Sequence, residues 1–212
     1  MSKYTKFGFF TLIAFFALFF LEAKQVLRVF DFNTTVFLQS FTPRFLDIPL
    51  SLLSLLGSFE ITALITGFLG LFVLKKEKKI YWGLLFFGVI LIFEFMGKFG
   101  LYHPNPPESF FRYTLPFAFP TSHVNTGYSF PSGHVSRTVF LAVVGIFLLK
   151  KYFNKTLLPS FLVVLYVLIM ILSRIYLGEH WASDTIGGIF LGGSMGFFAV
   201  SFFKKCQSLT LK

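Results

Sequence analysis

Apolar residues fall in six runs separated by more polar stretches of unequal length. The first covers residues 7–22 and follows Lys6. The second covers 48–74 and is interrupted by Glu60. The third covers 80–98, with Glu94 near its end. The fourth follows Ser132 and covers 132–149, the fifth covers 156–173 and the sixth 185–203. Most of these approach the ~20 residues that cross ~30 Å of hydrocarbon. Backbone polar groups in lipid must be paired internally, so each run is expected to be a helix. The pattern predicts an all-α integral membrane bundle of six transmembrane helices, forming a single domain over 1–212. The first run follows Lys3 and Lys6 as a secretory signal would, but no small-residue cleavage pattern comes after it. It is read as an uncleaved anchor.

Two further patterns refine this picture. The sixth run carries Gly188, Gly192 and Gly196 at a spacing of four, beside Gly187 and Gly193. Such a stripe lets a neighbouring helix approach closely and is read as packing. Residues 26–41 mix Phe, Val and Leu with Arg28, Asp31 and Asn33. That stretch is either an interfacial amphipathic segment that helps admit a headgroup or a plain connector.

Composition supports a lipid solvent. The chain is 55% hydrophobic and 13% charged, about half the charge of an ordinary soluble domain. Its 34 Phe residues suit a large lipid-facing area. The net charge of +10 does not point to nucleic acid, because the lysines cluster at the ends of apolar runs. Lys75, Lys76, Lys78 and Lys79 form one group, Lys150, Lys151 and Lys155 a second, and Lys204 and Lys205 a third. As a positive-inside signal they put both termini and the loops after the second and fourth spans in the cytoplasm. Cys206 is the only cysteine, which excludes an internal disulfide. Asn33-Thr34-Thr35 and Asn154-Lys155-Thr156 match the glycosylation triplet, a pattern that chance produces often.

The opposite face then receives the reactive side chains. All four histidines (His103, His123, His134 and His180) lie in residues 100–131 and 173–184 or at their edges, as do Arg112, Arg137 and Arg174. Phosphoryl transfer needs a cationic cradle, a nucleophile and an acid for the leaving oxygen. Three stretches supply them. In Ser173-Arg174-(five residues)-His180-(three residues)-Asp184, a histidine and an aspartate four apart would share a helix face. Asp184 would fix the tautomer of His180 and leave its other nitrogen free to attack. Arg174 would clamp phosphate with its planar fork. Phe130-Pro131-Ser132-Gly133-His134 opens the fourth span. Free N–H groups at a helix start seat an anion, and His134 beside them could protonate a leaving oxygen. Lys98, at the outer end of the third span, is expensive there unless it meets an anion or water.

Lys98, Pro131-Ser132-Gly133-His134 and Ser173-Arg174…His180…Asp184 resemble, in order, the three signatures of the type 2 phosphatidic-acid phosphatase family. That resemblance implies a six-span helical membrane enzyme that hydrolyses lipid phosphates. It makes His180 the nucleophile that becomes phosphohistidine, Asp184 its orienting partner, and His134 the general acid and later base. Lys98, Ser132, Gly133 and Arg174 would bind phosphate. It implies no metal and no cofactor, and the sequence has no obvious carboxylate cluster for magnesium. The family's substrates include undecaprenyl diphosphate, phosphatidylglycerophosphate, phosphatidic acid and lipid A phosphates.

One departure stands out. The first signature ends in Arg-Pro, and here the count from Lys98 lands on Asn105-Pro106. Asn105 keeps a donor for the phosphate but loses the charge and the fork, and Arg112 or Arg137 is the expected replacement cation. His103 and His123 are read as loop histidines. Tyr102, Tyr113 and Tyr128 are read as interface anchors, and Glu60 and Glu94 as buried partners for cations. The expected function is a lipid phosphate phosphatase in a bacterial inner (plasma) membrane, with its site facing the periplasm or exterior. Its partners are the lipid phosphate substrate and membrane lipids, with no nucleic acid. A lipid phosphotransferase and a catalytically impaired scaffold or transporter are the other readings.

Overall fold

A computed structural model describes residues 1–77, 82–120, 127–153 and 157–209. Lys78, Lys79, His123, Lys155 and the second glycosylation triplet fall outside the described residues. Among those described are eight α-helices and no strand. They are α1 (Lys3–Ala23), α2 (Arg28–Phe41), α3 (Asp47–Ser54), α4 (Phe59–Glu77), α5 (Gly83–Gly100), α6 (Gly133–Tyr152), α7 (Leu157–Tyr176) and α8 (Ala182–Leu209). Helices α1, α5, α6, α7 and α8 are each long and apolar enough to cross a membrane, and α3 with α4 makes a sixth span if the bent pair counts as one.

The second run is where structure and expectation differ. It is broken after Gly57, and the two halves meet at a bend of 43°. Ser58 takes an extended conformation (φ −60°, ψ 158°), and its hydroxyl accepts from the Ile61 N–H at 3.4 Å. A serine in that conformation starts a new helix rather than continuing the old one. Gly57 packs tightly at the break, where an added Cβ would lie 2.9 Å from Met170 Cε and 3.2 Å from His134 Cδ2. The break aims polar groups inward. The Gly57 carbonyl accepts from Arg137 Nη2 at 3.2 Å, and the Ser54 hydroxyl meets Arg174 Nη1 at 2.9 Å.

Helix α8 is the spine. Apolar burial gives little drive between helices in lipid, so close contact has to hold them together. The glycine stripe supplies it. A Cβ at Gly188 would lie 2.9 Å from the Ser132 carbonyl oxygen, and one at Gly196 would lie 2.8 Å from Val143 Cβ. The stripe therefore faces α6 and draws the start of α6 against the start of α8. On its other side α8 meets α1, where Ser194 donates to the Gly8 carbonyl at 2.9 Å. Phe130, fully buried, stacks on Phe15 with ring centroids 5.8 Å apart. Helix α2 turns Asp31 and Thr35 into the bundle and exposes Val29, Phe30, Phe32 and Phe37, as an interfacial helix does.

Candidate active site

His180 lies in the turn between α7 and α8. Gly178 turns the chain with φ +70°, a conformation glycine adopts without strain. The Glu179 and His180 N–H groups both donate to the Arg174 carbonyl at 3.2 Å. His180 therefore precedes α8 instead of sharing it with Asp184, and Asp184 works from the first turn of that helix. Its Oδ2 accepts from the Trp181 N–H at 2.9 Å and meets His180 Nδ1 at 3.3 Å. One carboxylate oxygen thus ties both the backbone and the ring, which leaves His180 Nε2 free. His180 is 7% exposed. Burial pushes its pKa below the ordinary 6.5, against the pull of Asp184.

Ser132 caps α6 after a cis Phe130–Pro131 peptide bond. Its N–H donates to the Asp184 carbonyl at 3.0 Å, locking the start of α6 to that of α8. The Ser132 hydroxyl is buried without a hydrogen-bond partner. Against Gly133 lies the Glu94 carboxylate, so close that no Cβ fits between them. Lys98 Nζ holds Glu94 at 2.9 Å, and Arg137 Nη1 pairs with its other oxygen. Arg174 pairs with Glu179 and stacks over the Tyr113 ring at 5.9 Å. Burial, helped by Glu179, pushes the Tyr113 phenol above its usual range. Arg174, Arg137, His180 and Lys98 lie around His134.

The structure thus gathers Lys98, Ser132, Gly133, His134, Arg137, Arg174, His180 and Asp184. Lys98 and Arg137 share the Glu94 carboxylate and Arg174 pairs with Glu179, so Glu94 is the partner for cations that the sequence suggested. Of the candidates for the missing arginine, Arg137 is here and Arg112 is elsewhere. Arg112 donates to the Thr42 and Gln39 carbonyls at 3.3 Å and lies over the Tyr176 ring. Asn105 is exposed on the loop after α5. A separate groove of about 590 Å³ is lined by Glu60, Ala63, Leu64, Gly67, Phe68 and Leu71, all on α4, and it holds none of the site residues.

Three neighbours of the site were not legible as such in the sequence. His103 lies on the loop after α5, as the sequence suggested, but it is buried, 3% exposed. Its Nδ1 lies 3.0 Å from Glu22 Oε2, and its Nε2 lies 3.3 Å from Asp184 Oδ1 and 3.9 Å from Asp31 Oδ2. Asp31 in turn accepts from the Ser183 N–H and hydroxyl, each at 2.8 Å. Burial raises the Asp31 carboxyl to about 6, against those hydrogen bonds. Burial also works against a charge on His103, but Glu22, Asp184 and Asp31 outweigh it and hold its pKa above the ordinary value. The sequence shows no local carboxylate cluster, yet the fold assembles one from distant positions. Among the described residues, Glu22, Asp31 and His103 form the group spaced for a metal ion, with donor atoms within 4.8 Å of one another. In this structure those donors are engaged with one another and with Ser183.

Comparisons with known proteins agree with this fold. The sequence profile of the PAP2 superfamily matches residues 82–208. Among curated proteins no relative matches the sequence. Among solved structures, the chain is similar to a transmembrane PAP2-type phosphatidylglycerolphosphate phosphatase from Bacillus subtilis. That likeness has a TM-score of 0.77 at 20% identity and covers 94% of this chain and 96% of the other. It is also similar to LpxE of Aquifex aeolicus, with a TM-score of 0.62 at 19% identity, covering 81% of this chain and 95% of that one.

Proposed function

The chain belongs to the PAP2 superfamily, and from that premise we propose that it is a membrane phosphatase that hydrolyses a phosphate ester or anhydride on a lipid headgroup. The observation that carries the reading is the His180–Asp184 pair, 3.3 Å apart, beside a helix start at Ser132 and Gly133 and among Lys98, Arg137 and Arg174. Neutral His180 attacks phosphorus through Nε2, and the bond to the lipid oxygen breaks. His134 gives that oxygen a proton. His134 then takes a proton from water, whose oxygen attacks phosphorus, and the P–N bond breaks to release phosphate. Lys98, Arg137 and Arg174 balance the charge on the three equatorial oxygens. The substrate phosphate takes the position of the Glu94 carboxylate against Gly133. The reading invokes no metal.

The bundle has two chemically distinct ends, which supports a topology for the same reading. Lys75, Lys76, Lys150 and Lys151 close α4 and α6, while the reactive groups sit at the opposite ends of α5, α6, α7 and α8. Both termini are then cytoplasmic, and the site faces the exterior or periplasm of an inner membrane. A substrate entering from the outer leaflet reaches it beside α2.

A panel of lipid phosphates in detergent tests the function: phosphatidylglycerophosphate, a polyprenyl diphosphate, phosphatidic acid and a lipid A phosphate. The similar Bacillus protein makes the first the leading candidate. Wild-type protein is expected to release phosphate from at least one, and His180→Ala from none. Equal release by the folded variant would sink the mechanism. Transfer of the label to an added acceptor lipid would identify a phosphotransferase instead.

A further inference from the structure

We infer that His103 is a positioning residue for the reaction, a buried imidazolium that spans Glu22 and Asp184 and fixes the carboxylate behind His180. The inference rests on the assignment of His180 as nucleophile. Its geometric basis is that both ring nitrogens face carboxylate oxygens, at 3.0 Å and 3.3 Å. A neutral imidazole has one N–H, so it would set a lone pair against one of these anions. The contacts are ion pairs rather than aligned hydrogen bonds, because both Glu22 oxygens and Asp184 Oδ1 are buried without a hydrogen-bond donor in line. Three carboxylates surround the ring, one from each neighbouring element: Glu22 at the end of α1, Asp31 on α2 and Asp184 on α8. Ser183 Oγ lies 3.5 Å from Nε2, and the Phe130 ring packs edge-on at 6.4 Å.

The ring is anchored from its own backbone as well. The Ser129 N–H and hydroxyl donate to the His103 carbonyl at 3.0 Å and 3.2 Å, so the strand of chain before α6 holds it in place. Two consequences follow for His180. Asp184 presents Oδ2 to His180 and to the Trp181 N–H, and the ion pair of Oδ1 with His103 opposes rotation of the carboxylate. The positive ring also offsets part of the Asp184 charge. An uncompensated carboxylate beside His180 would favour the protonated ring, which cannot attack. His103 thereby keeps His180 both aimed and neutral.

The test compares His103→Gln, Glu22→Gln and His180→Ala with wild type, using the full chain in detergent. Cooperative thermal unfolding reports folding, and kcat and KM are measured from pH 4 to 9 with a substrate found in the panel. His103→Gln is expected to lower kcat about 10- to 100-fold, the range typical of outer partners of working histidines, with KM within about threefold. The acid limb of its kcat profile should move up by about one pH unit, because Asp184 then acts on His180 without an opposing cation. Glu22→Gln leaves the cation and removes an anion, so its acid limb should move down. The opposite shifts separate a charged positioning role from simple packing. Should His103→Gln not fold, the direction of the Glu22→Gln shift decides. An unmoved acid limb in a folded His103→Gln, or in Glu22→Gln, overturns the inference. So does one equivalent of divalent metal held by wild type and absent from His103→Gln, since a metal would occupy the lone pair of the ring. Activity surviving in His180→Ala refutes the nucleophile assignment instead, so the two failures are distinguishable.

Discussion

Arg137→Met replaces a buried guanidinium, 4% exposed, with an apolar chain of similar reach. Two contacts disappear: the pair with Glu94 and the 3.2 Å hydrogen bond to the Gly57 carbonyl. Removing one partner of a buried pair outright costs about 3–5 kcal/mol. Here Glu94 keeps Lys98 at 2.9 Å, so the loss should be smaller, about 2–3 kcal/mol of stability. Turnover should suffer more. In the proposed mechanism Arg137 stands in for the arginine that the family signature carries at the position of Asn105, and removing one preorganised donor from a charged transition state costs about 10²–10³ in kcat. Phosphate release from a short-chain lipid phosphate in micelles, at a temperature where thermal scans show both proteins folded, measures this directly. Arg112→Ala, which loses carbonyl contacts outside the site, should stay within about threefold of wild type. If Arg137→Met keeps wild-type turnover while Arg112→Ala loses two decades, the assignment of the replacement cation is wrong.

Other perturbations have equally definite outcomes. Glu94→Gln removes the carboxylate that the substrate phosphate displaces in the proposed mechanism, so KM should fall about tenfold, close to 1.4 kcal/mol, and inorganic phosphate should inhibit more tightly; an unchanged inhibition constant would show that the two anions do not compete. Gly188→Val drives a side chain into the Ser132 carbonyl, 2.9 Å from an ideal Cβ; it should cost about 1–3 kcal/mol in thermal unfolding and reduce activity with it. Burial lowers the His180 pKa, so the neutral nucleophile persists below pH 6.5 and activity should be lost only as pH falls through that lowered value; a kcat profile that already drops at pH 7 contradicts this. Asp184→Asn keeps the shape and removes the charge; kcat should fall by at least about 10³ at unchanged fold, as for other histidines deprived of their orienting carboxylate.

What the sequence reveals here depends on how far apart the cooperating residues lie. The spans are legible because lipid demands long apolar runs, and five of the six recur as continuous helices. Ser132, Gly133 and His134 are consecutive, and His180 and Asp184 are four apart, so local geometry suffices to join them. The break at Gly57 was hidden because hydropathy continues straight across it. Tertiary packing against Met170 and His134 makes the chain bend there. Glu22 falls at the end of the first apolar run and His103 in the loop after the third. They meet because the end of α1, the loop after α5 and the start of α8 converge, although 161 residues of chain lie between Glu22 and Asp184. The role of Arg137 needed the same information, since Glu94 reaches it from another helix.

The central claim is a covalent phosphohistidine on His180. Rapid mixing of protein with a 32P-labelled lipid phosphate, followed by alkaline quench, traps it directly. His134→Gln loses the acid of the first step as well as the base of the second, so it should label slowly and then hold the label, stable to alkali and lost in acid. His180→Asn should take up none. Turnover in the wild type with no labelled protein in either background, or label retained in His180→Asn, would contradict the account.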